Sequence, residues 1–348
     1  MTTSTPTHTP TESAVQEAFE AHERAIRVPD AQNDEAKGLH PPLREEVTGR
    51  PGLRYEDSFL NGSYRRKTQI APLGDLDVVI VLGPVRGRMP LESPAHALER
   101  IAEAALACKA VRRIEPIGVR AVTCVLWDSD ITVDLVPALE HVDGDRLWLC
   151  RHKPAEGLMD WTLEHPRGQI RAASATNEAC GGTYIPLVRV AKGWNCRVGP
   201  GDDKLLPSYA MEAATCRALG GRPADFAPGL AGAYAVLEER LARRLALPDP
   251  GNPDRDVLEL LDEDRRQRAI PVVQRAAREA SRALSLTLEG ALSVWGELLG
   301  PTFPGPEQRT GRMAAGLVAG TVGGLGSGIA VSEAARAIAK APRAWRPW

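Results

Sequence analysis

Two neighbouring stretches decide how this chain reads: Asn61-Gly62-Ser63-Tyr64-Arg65-Arg66-Lys67-Thr68, then Gly74-Asp75-Leu76-Asp77-Val78-Val79-Ile80-Val81. The aliphatic run Leu76–Leu82 has the composition of a buried strand. Residues i and i+2 of a strand share a face, so Asp75 and Asp77 present two carboxylates side by side at its start. Like charges so close repel, and a divalent cation is the usual remedy. Taken alone, such a pair is equally a hydrated strand entrance. A third carboxylate, Asp134, lies in the aliphatic segment Ile131-Thr132-Val133-Asp134-Leu135-Val136. A lone buried Asp is costly unless it is paired or bound to metal. Three carboxylates on adjacent strands suit two Mg²⁺ ions and in-line phosphoryl transfer. Asp128 and Asp130 repeat the D-x-D spacing, but in a predicted turn, where Asp serves local hydrogen bonds. Gly62-Ser63 supplies a close backbone approach, a hydroxyl and exposed N–H groups for phosphate oxygens. A Gly-Ser on its own is an ordinary turn; 12 residues ahead of D-x-D, with an acidic strand beyond, it forms a pattern.

Working outward, Glu12–Val28 has a helical period, and Pro29–Pro51 is polar and Pro-interrupted, though partly compatible with a helix. Ser58–Tyr64 reads as a turn, Ser93–Lys109 as a helix, and Val119–Trp127 with Ile131–Leu139 as a hairpin. From Leu158 onward the pattern predicts helices over Thr183–Trp194, Ser208–Leu219, Gly229–Leu245, Asp254–Leu284 (kinked or broken at Pro271) and Leu288–Leu299. Strands first and helices afterwards give an α+β lobe followed by a helical lobe. Ligands often sit where two such lobes meet.

The motifs resemble those of the DNA polymerase β-like nucleotidyltransferase superfamily, whose pattern is Gly-Ser, D-x-D and a later Asp. Within it, G-S-Y-x-x-x-T and D-x-D-V-V-I look like the bacterial cyclic GMP–AMP synthase-like enzymes, the CD-NTases. The likeness continues in Trp161…His165-Pro166, Val188–Asn195, Pro207–Glu212 and Trp295…Gly300–Pro304, and so covers residues 12–304. It implies a two-lobed polymerase β-like fold: a mixed-sheet catalytic lobe over 12–157, a helical lobe over 158–304, and an active site in the cleft between them. The first helix is expected to span both lobes. The resemblance makes Asp75, Asp77 and Asp134 the ligands of two Mg²⁺ ions, with Mn²⁺ as the substitute, and Asp134 also a group that orients or deprotonates the attacking ribose hydroxyl. Gly62 and Ser63 would meet the triphosphate, and Lys192 would neutralise it from the helical lobe. Ser208 would bind phosphate at a helix start, and Tyr209 would stack on the donor base. Bland readings stand beside these: Lys192 as a solvated helix residue, Ser208 as an N-cap, Tyr209 as core. Gly193 inside Lys-Gly-Trp-Asn departs from the family pattern, where a bulkier residue is common.

The implied reaction joins nucleoside triphosphates, ATP among them, into a cyclic oligonucleotide messenger with loss of pyrophosphate. Its expected setting is antiphage signalling through a downstream effector. Two other readings remain at this level: a nucleotidyltransferase acting on a protein, RNA or small molecule, and a non-catalytic nucleotide-binding regulator.

Composition sets the remaining bounds. The chain has 348 residues, enough for about two domains, with 43 basic and 45 acidic side chains. That balance leaves no extensive nucleic-acid surface. Six cysteines without a C-x-x-C pair read as reduced thiols in a cytoplasmic protein. Residues 1–11 read as a disordered Thr/Ser/Pro-rich tail and not as a signal peptide. Residues 305–348 form a separate Gly-rich extension. Its uncharged run Met313–Ser332, with Gly316, Gly320, Gly324 and Gly328 spaced by four, suits a flexible or partner-ordered tail, a packed helix or a membrane-active helix.

Overall fold

A computed structural model describes residues 9–49, 55–83, 93–117, 120–153, 158–199, 204–259 and 261–306. Of the expected tails at 1–11 and 305–348, residues 1–8 and 307–348 lie outside the described residues, while Pro10 and Thr11 belong to the first helix and not to a disordered tail. In chain order, α1 (Pro10–Ile26) and α2 (Asp30–Thr48) precede β1 (Tyr55–Leu60), the single turn α3 (Gly62–Arg65), β2 (Asp75–Leu82) and α4 (Pro94–Leu106). Next come β3 (Val111–Ile114), β4 (Val122–Leu126), β5 (Thr132–Glu140), β6 (Leu147–Lys153) and β7 (Leu158–Glu164). The helices α5 (Pro166–Ala179), α6 (Tyr184–Val198), α7 (Ser208–Leu219) and α8 (Phe226–Ala242) follow, then the short hairpin β8 (Pro248–Asp249) and β9 (Asn252–Asp256), and finally α9 (Glu263–Ala283) and α10 (Leu288–Leu299).

The chain forms two compact units. Among the described residues, one contains those from Arg27 to Glu178 and Pro248–Asp256; the other contains 9–26, those from Ala179 to Leu247, and 257–306. The first helix therefore groups with the helical unit.

The sheet unit is built on seven strands in the order β1-β2-β5-β4-β3, with β6 on the far end of β5 and β7 on β6. Strands β2 and β5 are parallel, and β4 pairs antiparallel with β5. Period-two alternation sends Leu76, Val78, Ile80 and Leu82 to one face, where they meet Leu98, Ile101, Val133 and Leu135 in the main core. Val79, Val81, Val136 and Ala138 face the other way, in a smaller cluster with Leu147, Leu149 and Phe59. Strands β2 and β5 are thus apolar on both sides, as the Leu76–Leu82 run predicts.

Several elements depart from the sequence reading. Leu158–Glu164, expected to open the helical lobe, is strand β7. Its Glu164 is buried because Arg255 at 3.2 Å and Arg120 at 3.6 Å neutralise it. Helix α2 runs through Pro41 and Pro42. The carbonyls those prolines leave unbonded, at Lys37 and Gly38, belong to exposed residues that water can serve, while Ala36, Leu43 and Val47 anchor the inner face. The helix expected from Asp254 begins at Glu263, capped by Asp262, whose side chain accepts from the Arg265 N–H at 2.8 Å. Pro271 lies inside it without breaking it, and Asn252–Asp256 is a strand instead.

In the helical unit, Phe19 of α1 is fully buried. Phe226 stacks on it with centroids 5.6 Å apart, and Trp295 and Phe303 meet it edge-on at 4.9 and 5.1 Å. Burying such a ring contributes about 2–3 kcal/mol, which fixes α1 against α10. Among the described residues no helix is long and apolar enough to cross a membrane. None of the six cysteines forms a disulfide, and burial pushes the Cys124 and Cys150 thiols up to about 12.

Candidate active site

The turn after β1 is held against β2 by its own backbone. The Asn61 N–H donates to the Asp77 carbonyl at 2.8 Å, and the Thr68 N–H closes back on the Ser63 carbonyl at 2.9 Å. Gly62 sits at φ +63, and a Cβ there would stand 1.6 Å from Asp77 Oδ2. Any side chain there would have to push Asp77 or the loop aside, because the backbone at position 62 lies directly against the carboxylate of the D-x-D. Ser63 follows immediately and is only partly buried.

Parallel pairing places Asp77 directly opposite Asp134, and Asp75 opposite Thr132. By the strand period all three carboxylates share the face of Val79 and Val136, away from the main core. Asp134 is 1 % exposed, and its Oδ1 has no hydrogen-bond partner among the described residues. Burial pushes its carboxyl up to about 6. A hydrogen bond from Thr123 opposes that shift, and the charge of Asp75 adds to it. This face carries three carboxylates, and one of their oxygens is orphaned. Among the described residues no group of three or more His, Cys, Asp and Glu side chains is gathered closely enough to hold a metal ion. The carboxylates therefore do not form a closed cage. The donor set nevertheless fits Mg²⁺: hard oxygens on one face, one of them buried and unsatisfied, for an ion that completes its shell with water and phosphate.

The other expected residues belong to the helical unit. Lys192 of α6 is not solvated; it is 5 % exposed, with its Nζ 2.6 Å from Glu212 Oε1 of α7. Ser208 is the first residue of α7 and not its cap. Pro207 occupies the cap position, and the Lys204 ammonium stands 3.5 Å from the Ser208 hydroxyl. Tyr209 is half-buried beside it. Glu212 was not singled out by sequence, since the partner of Lys192 lies twenty residues away on another helix. Thr123 was missed too, although the hairpin register that pairs it with Asp134 follows from the turn at Asp128–Asp130.

A mixed sheet carrying Gly-Ser, D-x-D and a third Asp in direct register is the arrangement of the polymerase β-like fold. No family model matches the chain. Among curated proteins it is 25% identical to a probable cyclic AMP-AMP-GMP nucleotide synthase of Salmonella paratyphi B, over 87% of this chain and 95% of that protein. It is likewise 25% identical to a cyclic AMP-AMP-GMP synthase of Enterobacter hormaechei, over 82% and 91%. Among solved structures, E. coli CdnC with ATP superposes with a TM-score of 0.65 at 17% identity, covering 83% of this chain and 99% of that one. The Bradyrhizobium diazoefficiens CD-NTase CdnG with GTP gives 0.62 at 15% identity, covering 89% and 100%. The chain thus shares the fold of the CD-NTases and is similar in sequence to synthases of cyclic oligonucleotides.

Proposed function

We propose that this chain is a Mg²⁺-dependent synthase that joins nucleoside triphosphates into a cyclic oligonucleotide. The observation that carries the reading is the register of Asp77 with Asp134, with Asp75 on the same face and Gly62 packed against Asp77. Asp75, Asp77 and Asp134 would hold the ions, which when bound supply charge to the α-phosphate and lower the cost of an attacking alkoxide. The protein's own part is to place groups. Gly62 fixes the Asp77 carboxylate, and Ser63 offers its hydroxyl to the triphosphate. Asp134 keeps one oxygen free for the proton of the attacking ribose hydroxyl. In the step itself, a ribose oxygen bonds to the α-phosphorus, the bond to pyrophosphate breaks, and the hydroxyl proton leaves to the carboxylate.

From the helical unit, Lys192, Ser208 and Tyr209 are the residues assigned to phosphate and base. Lys192 reaches a triphosphate only by leaving or sharing Glu212. The curated relatives' names make cyclic AMP-AMP-GMP the first product to look for. E. coli CdnC is also known in complex with a HORMA protein, which supports a protein partner here, and an antiphage signal acting on an effector is the setting we assign.

The test is mass spectrometry of nucleotides after incubating the full chain with all four triphosphates and Mg²⁺, beside the Asp75→Asn/Asp77→Asn protein. Phosphatase-resistant cyclic product from the wild type and none from the double variant is the expected result. Label passed to an added acceptor, or equal product from both proteins, removes the reading.

A further inference from the structure

Helix α7 carries Ser208 and Tyr209 in its first turn, yet nothing local fixes where that turn begins. Pro207 stands at the cap position and no side chain caps the helix. Residues 204–207 ahead of it form neither helix nor strand, and Pro207 keeps Leu206 out of the helical region. Leu206 is fully buried. A buried carbonyl needs a donor, and here the donor must come from elsewhere.

It comes from α6. Asn195, also fully buried, donates from Nδ2 to the Leu206 carbonyl at 2.9 Å. The other half of that amide is idle: Asn195 Oδ1 has no hydrogen-bond partner among the described residues. Leaving a buried acceptor unpaired costs stability that an apolar side chain would not. Packing alone therefore does not account for an amide at this position; the grip on Leu206 does. Lys192 lies three residues earlier on the same face of α6 and pairs with Glu212 at 2.6 Å. Helix α6 thus holds the chain two residues before Ser208 and four residues after it.

A second grip comes from α9. Arg265 donates from Nη2 to the Lys204 carbonyl at 3.0 Å, and its own backbone N–H is held by the Asp262 cap at 2.8 Å. The two held carbonyls, Lys204 and Leu206, belong to the fourth and second residues ahead of Ser208. Both side chains act on the main chain that leads into the helix start.

We infer that Asn195 and Arg265 are positioning residues for triphosphate binding: they fix residues 204–207 and, through them, the Ser208 hydroxyl. The inference rests on the phosphate role proposed for Ser208. Two measurements on the full chain keep the two apart. Hydrogen exchange without nucleotide reads the grip: in Asn195→Ala and in Arg265→Ala the amides of residues 208–211 should exchange about fivefold faster or more, with α8 unchanged. Inorganic tripolyphosphate, which has no base to stack on Tyr209, reads its use. As an inhibitor of synthesis it should bind about tenfold more weakly to each variant, the size of one charge-assisted hydrogen bond. Added to Ser208→Ala, either substitution should weaken it by less than about twofold further, because both act through that hydroxyl. Arg268→Ala removes an equal charge one turn along α9, from a side chain paired with Asp264, and should leave both measurements unchanged. Arg265 is only half-buried, so its variant carries the test where Asn195→Ala does not fold. Faster exchange, with tripolyphosphate binding that even Ser208→Ala leaves unchanged, removes the reading of Ser208 while the grip stands. Three results overturn the inference and leave the proposed reaction standing: unchanged exchange, binding weakened in Ser208→Ala but not in these variants, or equal weakening with and without Ser208.

Discussion

Replacing Gly62 by Ala tests the link between the loop and the carboxylates. The substitution has two separable costs. At φ +63 an L-residue pays about 1–2 kcal/mol of backbone strain, which for a protein of this size lowers Tm by a few degrees. The new methyl would also sit 1.6 Å from Asp77 Oδ2, where real contacts stay beyond 3.0 Å. Asp77 or the loop must therefore retreat by well over 1 Å. Misplacement of that size in a site that works by positioning costs about 10²-fold in rate. Gly144 separates the two costs: its φ is +72, and an added Cβ meets nothing within 4 Å. Gly144→Ala should show the Tm loss with wild-type turnover, and Gly62→Ala a similar Tm loss with turnover down about 10²-fold or more. Turnover would be read as pyrophosphate release under saturating triphosphate and Mg²⁺. Wild-type turnover in Gly62→Ala would show that the loop does not place Asp77, and the site as drawn would fall.

Other expectations follow from the helical unit. Lys192→Ala leaves Glu212 buried without its cation and should cost about 3–5 kcal/mol of stability; Ser208→Ala should leave stability almost unchanged while raising the KM for triphosphate more than it lowers kcat. Equal KM values for Ser208→Ala and wild type would return that residue to the scaffold. His22 is buried beside Thr302, and burial lowers its imidazole to about 4, with the Thr302 hydrogen bond and Glu23 opposing. Because the unfolded chain binds this proton more readily, the stability His22 contributes is complete above about pH 6.5 and is lost as pH falls toward 4; by pH 5 the loss is about 2 kcal/mol. Urea unfolding at pH 7.5 and 5.0 should show a drop smaller by that amount in His22→Gln, and an identical drop would refute the assignment. A chain ending at Pro304 retains Phe303 in the Phe19 cluster, so it should fold and keep turnover; insoluble or inactive protein would place residues 305–348 within the enzyme.

The parts legible in sequence were those with one dominant signal. Asp75–Leu82 is apolar enough to be only a strand, and α7 and α10 begin and end where Pro207, Gly220, Thr287 and Gly300 say they should. What escaped depended on distant partners. Strand β7 ends in a buried Glu164, compensated by Arg120 and Arg255 from distant parts of the chain. Strand β3 has four residues, two of them Arg, and is held by pairing with β4 and not by composition. Helix α2 survives two prolines because its inner face is anchored by residues of the sheet unit. The three carboxylates and Gly62 could be picked out by spacing. That Lys192 is buried against Glu212 could not, because α6 and α7 come together only through tertiary packing.

The division of the chain between its two units has a consequence for synthesis on the ribosome. The path changes unit after Ile26, Glu178, Leu247 and Asp256, so no single cut yields either unit as a continuous piece. Helix α1 emerges well before the rest of its unit, and the partners of Phe19 are Phe226, Trp295 and Phe303. For most of translation its apolar stripe of Val15, Ala18 and Phe19 has no native surface to cover it, a period in which such a segment is open to association with other chains. Helix α1 is made before its partners and is among the last to be buried.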